Sequence, residues 1–90
     1  MNSEITREFR QRLRHLPPDA RRQAYAAYRL FKNDPYHPSL HFERVDDNPP
    51  MYSVRVGLGY RVLGVRKNAD TIVWFWIGTH ADYDKILAQR

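Results

Sequence analysis

The chain has 90 residues, with 15 Lys and Arg against 10 Asp and Glu, for a formal charge of +5. That length allows one domain (1–90) with one modest core, and the charge favours a polyanion or an acidic protein as partner, although charge alone fits an ordinary basic protein equally well. With no cysteine, disulfides and thiolate metal sites are excluded, and no apolar run is long enough to span a bilayer. The charged N-terminus without a signal-peptide pattern gives the expectation of a cytoplasmic protein.

Ile5, Phe9, Leu13 and Leu16 recur at helical spacing and predict a first helix, with Arg7, Arg10, Arg12 and Arg14 around the rest of its circumference. Pro17-Pro18 ends it, and a second helix is predicted from Asp19 to Lys32. Its stripe of Ala24, Ala27, Tyr28 and Phe31 predicts close antiparallel packing of the two helices. Asn33-Asp34-Pro35 stops the second helix. Strands then follow over 40–45, 51–56, 60–66 and 71–77, and a short helix over 81–89. The expected fold is α+β: an N-terminal helical hairpin on a four-stranded antiparallel sheet, with a short C-terminal helix.

The turns set a register. A three-residue connection, Gly57-Leu58-Gly59, pairs Val56 with Tyr60 and puts Arg55 opposite Arg61. A four-residue turn over 67–70 pairs Arg66 with Thr71 and puts Arg61 opposite Trp76. One face then carries Arg55, Arg61, Leu63, Val65, Ile72, Trp74 and Trp76. The other carries Val54, Val56, Tyr60, Val62, Val73, Phe75 and Ile77, and is the better core for the helices to cover. Opposed arginines repel unless a carboxylate such as Glu43 or Asp82 neutralises them or a bound anion sits between them. The tryptophans beside them offer planes for an unstacked base. The alternative is that the C-terminal helix covers both tryptophans and the arginines only solvate an edge. His80 follows the last strand, where an imidazole can act as acid or base near neutral pH. No histidine pair has convincing metal-ligand spacing, so no metal and no cofactor are expected.

Several segments in order resemble the RelE/ParE toxins of type II toxin–antitoxin systems. They are Phe9…Leu13…Leu16-Pro17, Asn33-Asp34-Pro35, and His37-Pro38-Ser39-Leu40. Tyr52-Ser53-Val54-Arg55-Val56 is followed by Tyr60-Arg61-Val62-Leu63, and the chain closes on Ile77-Gly78-Thr79-His80-Ala81-Asp82-Tyr83. The resemblance implies a cognate antitoxin and one of two targets: mRNA on the ribosome, cut by an endoribonuclease, or DNA gyrase, poisoned without chemistry. A non-toxic binding module is a third reading. In the ribonuclease branch the resemblance carries catalytic roles onto Arg55, Arg61, His80 and Tyr83, with Trp74, Trp76, Lys67 and Arg66 as RNA contacts. The sequence departs from the pattern in three ways. The strand usual before the first helix is missing or reduced to Met1–Glu4, lysine is sparse in the sheet, and Pro38 stands near a position where some members carry a carboxylate.

Overall fold

A computed structural model describes residues 1–89. Its elements are β1 (Asn2–Ile5), α1 (Arg7–Arg14), α2 (Pro18–Asn33), a 3-10 turn (Pro38–Leu40), β2 (Glu43–Asp47), β3 (Pro50–Val56), β4 (Tyr60–Asn68), β5 (Thr71–Thr79) and α3 (His80–Ala88). The five strands form one mixed sheet in the order β1-β5-β4-β3-β2. The α+β class is as expected, but the sheet has a fifth strand. β1 pairs in parallel with β5, Asn2 beside Thr71 through Ile5 beside Trp74. Ile5 therefore belongs to an edge strand and not to the first helix. Thr6 starts that helix by accepting the Phe9 amide at 3.1 Å on its hydroxyl.

The two N-terminal helices lie on one face of the sheet without the close contact expected of them. α1 packs on β5 and α2 on β3. A largely apolar groove of about 370 Å³ separates them, lined among others by Phe9, Leu13, Ala24, Ala27, Phe31 and Trp74. The alanines thus face a groove instead of a neighbouring helix. The turn between the helices is tied by Arg21, whose guanidinium donates to the carbonyls of Arg14 and Leu16 at 3.2 and 3.0 Å. The first is a C-terminal carbonyl of α1, which needs such a donor, and the second lies just beyond the helix.

The first predicted strand begins three residues late. Pro38 opens a 3-10 turn whose start is held by the His37 ring accepting the Ser39 amide at 3.2 Å, and His41 adopts a left-handed conformation (φ 45°). This turn drops Leu40 into the core and packs against β3 where β2 has not yet begun.

The β3–β4 hairpin has the predicted register, Val56 opposite Tyr60 and Arg55 opposite Arg61. Gly57 supplies the left-handed residue of its loop (φ 59°). The β4–β5 pairing differs. Asn68 faces Thr71, making a two-residue turn, and two register shifts follow, one leaving Lys67 unpaired on β4 and one leaving Phe75 unpaired on β5. Each extra residue reverses side-chain parity. Arg61 therefore faces Gly78 instead of Trp76, and Leu63 faces Trp76 instead of Trp74.

These shifts divide the β5 aromatics between two cores. On the α1/α2 face, Phe9, Phe31, Leu40, Val54, Val56, Val62, Ile72, Trp74 and Ile77 are buried together. On the other, Leu63, Trp76 and Tyr83 are buried with Ile86 and Leu87 of α3 against them. Ile72 and Trp74 were expected beside the arginines and lie on the opposite face. Phe75, expected on the helical face, packs on the α3 side. Gly64 makes Trp74's place possible: a Cβ there would stand 2.5 Å from the indole and 2.8 Å from Ile72 Cγ2.

Candidate functional site

The site lies on the α3 face of the sheet. Arg55 and Arg61 oppose each other on β3 and β4, and Arg61 faces Gly78 of β5. Trp76 leans over that glycine, where an added Cβ would stand 2.5 Å from its ring. A side chain at position 78 would push the indole away, so the glycine fixes where Trp76 lies beside Arg61's position. From the far side Arg12 of α1 stacks on Trp76, its guanidinium carbon 5.2 Å from the ring centroid. The Arg12 Nε donates to the Ile77 carbonyl at 2.9 Å, on the stretch of β5 that β1 leaves uncovered.

α3 begins where β5 ends because Thr79 caps it, accepting the Asp82 amide at 3.1 Å. The His80 amide donates to the Gly59 carbonyl at 2.8 Å and so ties the helix start to the β3–β4 loop. One turn of helix then separates what it turns inward from what it leaves out. Tyr83 is buried against Leu63 and Trp76, whereas His80 and Asp84 are exposed and four residues apart, with His80 Nε2 3.4 Å from the Asp84 carboxylate. The His80 and Tyr83 ring centroids are 6.4 Å apart.

Arg61 is 7 % exposed, and its guanidinium donates to the Tyr60 carbonyl at 2.8 Å. Burial lowers its pKa from the ordinary arginine value, the charge of Arg55 lowers it further, and Tyr83 and Asp84 act in the opposite sense. Among the described residues no carboxylate forms an ion pair with Arg55 or Arg61. The groups that compensate Arg61 are Tyr83 and then Asp84, not Glu43 or Asp82. Arg55 is half-buried and also lines a groove with His41, Ser39 and Gln23 beside the 3-10 turn.

Arg61 thus has Arg55 opposite it and the groups of Tyr83 and Asp84 acting on its charge, and Asp84, which pairs with His80, is a fifth residue beside the four expected. The i,i+4 spacing of His80 and Asp84 on a C-terminal helix was the available signal for that fifth residue. The four expected RNA contacts do not form a group. Trp74 is 6 % exposed on the opposite face, with its edge toward Phe31 and its Nε1 donating to the Ser3 hydroxyl at 3.1 Å, so it is a core residue. Trp76 is on the arginine face but 9 % exposed beneath α3 and Arg12. Lys67 pairs with Glu4 of β1 at 3.6 Å, and Arg66 reaches the hydroxyl of Tyr52.

The positive charge is elsewhere. Eight of the 15 basic residues but two of the ten acidic ones lie in α1 and α2, giving that layer +6 and leaving the rest of the chain at −1. The apolar groove therefore opens within the basic layer, flanked by half-exposed Ile5, Tyr25 and Tyr28. Among the described residues there is no cluster of ligands for a metal, and no helix is long and apolar enough to cross a membrane.

Residues 18–85 match the family model of the ParE-like toxin domain, a span that runs from α2 through Tyr83 and Asp84. The chain belongs to the ParE-like toxin family. Its fold is that of the RelE/ParE superfamily. The fold resembles that of a chain in the RelB–RelE antitoxin–toxin complex of Methanococcus jannaschii (TM-score 0.71, 19 % identity, 92 % of this chain and 96 % of that one). It also resembles the YoeB/ParE toxin of Agrobacterium tumefaciens (0.67, 12 %, 89 % and 99 %) and isolated Escherichia coli RelE (0.62, 13 %, 98 % and 96 %). No curated protein matches the chain. The short first strand that looked missing or reduced is present as β1.

Proposed function

We propose that this chain is the toxin of a toxin–antitoxin pair and that it cuts mRNA on the ribosome. The observation that carries the reading is the opposed pair Arg55 and Arg61, held on adjacent strands without an ion-paired carboxylate among the described residues, with the His80–Asp84 pair at the start of α3. In the proposed reaction an RNA 2′-oxygen attacks the adjacent phosphorus, and its proton passes to a base. The bond from phosphorus to the 5′-oxygen breaks, and that oxygen takes a proton. The products are a 2′,3′-cyclic phosphate and a 5′-hydroxyl end. Charge gathers on the nonbridging oxygens as phosphorus becomes five-coordinate, and two guanidiniums stabilise it. His80 is the group that moves protons, with Asp84 orienting its ring from the next turn of α3. Tyr83 lies inside α3 and supports the site from behind. Because Arg61 is buried, contact between it and a phosphate requires the side chains around it to shift.

The antitoxin in this reading is acidic and amphipathic. The groove between α1 and α2 supports that chemistry, since it combines apolar walls with the +6 layer around them. The RelB–RelE neighbour is itself an antitoxin–toxin complex. Insertion of apolar side chains there would stabilise a small domain by mass action.

The burial of Arg61 and Tyr83 favours a second reading, a gyrase poison that does no chemistry. Induced expression separates the two. The ribonuclease reading expects rapid arrest of translation, with new transcript ends that disappear in His80→Ala. Gyrase-trapped plasmid breaks with intact transcripts would reject it in favour of the second reading.

A further inference from the structure

The other face of the sheet carries a second cationic cluster, beyond the C-terminal end of α2. Arg44 on β2 stands directly opposite Tyr52 on β3, and Arg66 reaches the same residue from β4. Both guanidiniums point at one phenolic oxygen, Arg44 Nη2 at 3.4 Å and Arg66 Nη1 at 3.3 Å, and both lie 5.5–5.6 Å from the ring centroid. Arg66 is fixed in place by the carbonyls of Asn68 and Ala69, at 3.4 and 2.8 Å. The carboxylate paired with Arg44 is Asp47 at 3.4 Å, a mostly exposed group whose pull is weak in water. Two cations, one of them anchored, therefore share a neutral acceptor at long distance, an arrangement that suits an anion.

An aromatic row adjoins the cations. Tyr52 stacks on Phe42 (5.0 Å between centroids, 28° between planes), and Phe42 meets Tyr36 at 5.4 Å. The inner end is anchored, because Phe42 also sets its edge against core Phe31 at 5.1 Å. The outer end is open, with Tyr36 66 % exposed on the surface. The row ends on Tyr52, the ring that both guanidiniums overlie, so the open ring and the cations belong to one continuous surface. Paired guanidiniums beside an exposed, rigidly backed ring suit one phosphate and one neighbouring base of a single strand.

We infer that Arg44, Arg66 and Tyr36 form a second contact for single-stranded nucleic acid, on the sheet face opposite Arg55 and Arg61, with the phosphate on the arginines and a base on Tyr36. The inference shares with the proposed function only the class of ligand and does not depend on cleavage. The site would hold a strand away from the reacting phosphate and lengthen the footprint.

The test is fluorescence anisotropy with an end-labelled, 2′-O-methylated oligouridine, which lacks the nucleophile and so reports binding by the full chain without cleavage. Arg44→Gln and Arg66→Gln should each lower the slope of log affinity against log salt by about 0.7, the value for one phosphate contact on a single strand. Tyr36→Ala should weaken binding by about 5- to 100-fold, the range for one stacked base, and Tyr36→Phe should restore it. Tyr36 is exposed, so these changes leave the core untouched. Unaltered binding in Tyr36→Ala and Arg66→Gln would overturn the inference. So would equal losses from Arg10→Gln and Arg29→Gln on the helical layer with none from Tyr36→Ala, since the field of that layer would then explain the binding. A wild-type chain that cuts no transcript but shows these losses would sink the ribonuclease reading and leave the second contact standing.

Discussion

Substituting Arg61 by Met separates the two things this residue does, because an unbranched apolar stem remains and the charged head is lost. In the native state the guanidinium is withdrawn from water and faces Arg55 across the strand pair. Directly opposed like charges cost about 0.2–1 kcal/mol. Replacing even a buried ion pair by apolar volume is often neutral or stabilising by about 1–4 kcal/mol, and a cation without an ion-pair partner has less attraction to lose. Against these stands the hydrogen bond to the Tyr60 carbonyl. Tyr60 is only half-buried, so water can take over that carbonyl, and the loss should be about 0.5–1.5 kcal/mol. The attraction of exposed Asp84 adds less than about 1 kcal/mol. The balance favours Arg61→Met by about 1 kcal/mol, which for a domain of this size raises the melting temperature by about 4–8 °C. Under the ribonuclease reading the same protein should cut RNA about 100- to 1,000-fold more slowly, the usual loss when one donor to a developing oxyanion is removed. Circular-dichroism melts and single-turnover cleavage on ribosomes measure both quantities on one preparation. A melting temperature lowered by more than about 4 °C would refute the reasoning, because Arg61 would then be supporting the fold instead of straining it.

Three further outcomes follow from the geometry. Gly64→Ala should destabilise the chain by about 1–3 kcal/mol, since Trp74 and Ile72 have no room to retreat, and chemical denaturation would expose the error if the variant matched wild type. His80→Ala should slow cleavage by about 100-fold with little change in melting temperature, because Thr79 and not His80 caps α3; an equal loss of stability would assign His80 to the fold instead. Donation from Arg66 and then Arg44 lowers the pKa of Tyr52 from its ordinary value, so among the six tyrosines it should ionise early in an ultraviolet alkaline titration. The folded state prefers ionised Tyr52, so its contribution is present above the unfolded value of about 10 and is lost as pH falls through the lowered folded value. Wild type should therefore gain stability over Tyr52→Phe as pH rises through that window, and parallel curves would contradict the contact.

The arginine pair was legible because its register depends on one short loop, Gly57-Leu58-Gly59, and on nothing beyond the six residues either side. Trp74 was misplaced because parity counting assumes an unbroken ladder. Nothing in Val73-Trp74-Phe75-Trp76 marks Phe75 as the extra residue, and the glycine that accommodates the indole is on another strand. β1 escaped notice for a related reason. Asn-Ser-Glu-Ile has no apolar alternation, and a parallel edge strand owes its place to a partner nearly 70 positions away. The alanines of α2 gave a correct stripe and a wrong neighbour, since a sequence pattern marks an apolar face but not what covers it. The Asp84 contact follows from helical spacing alone and was within reach.

The bond from Arg12 to the Ile77 carbonyl bears on how the chain avoids its own kind. β1 covers β5 only as far as Trp74, and β2 covers β3 only as far as Ser53, so two inner strands have ends that a foreign strand could extend. Both ends are plugged. α1 and the Arg12 guanidinium occupy the first, and the turn carrying Leu40 lies over the second. The outermost strands are themselves poor templates, β1 being four residues long and β2 carrying four charged side chains in five. Strand-by-strand growth into aggregates is thereby blocked at each margin of the sheet. Partners are left to engage it through its two faces, where the side chains differ enough to tell one ligand from another.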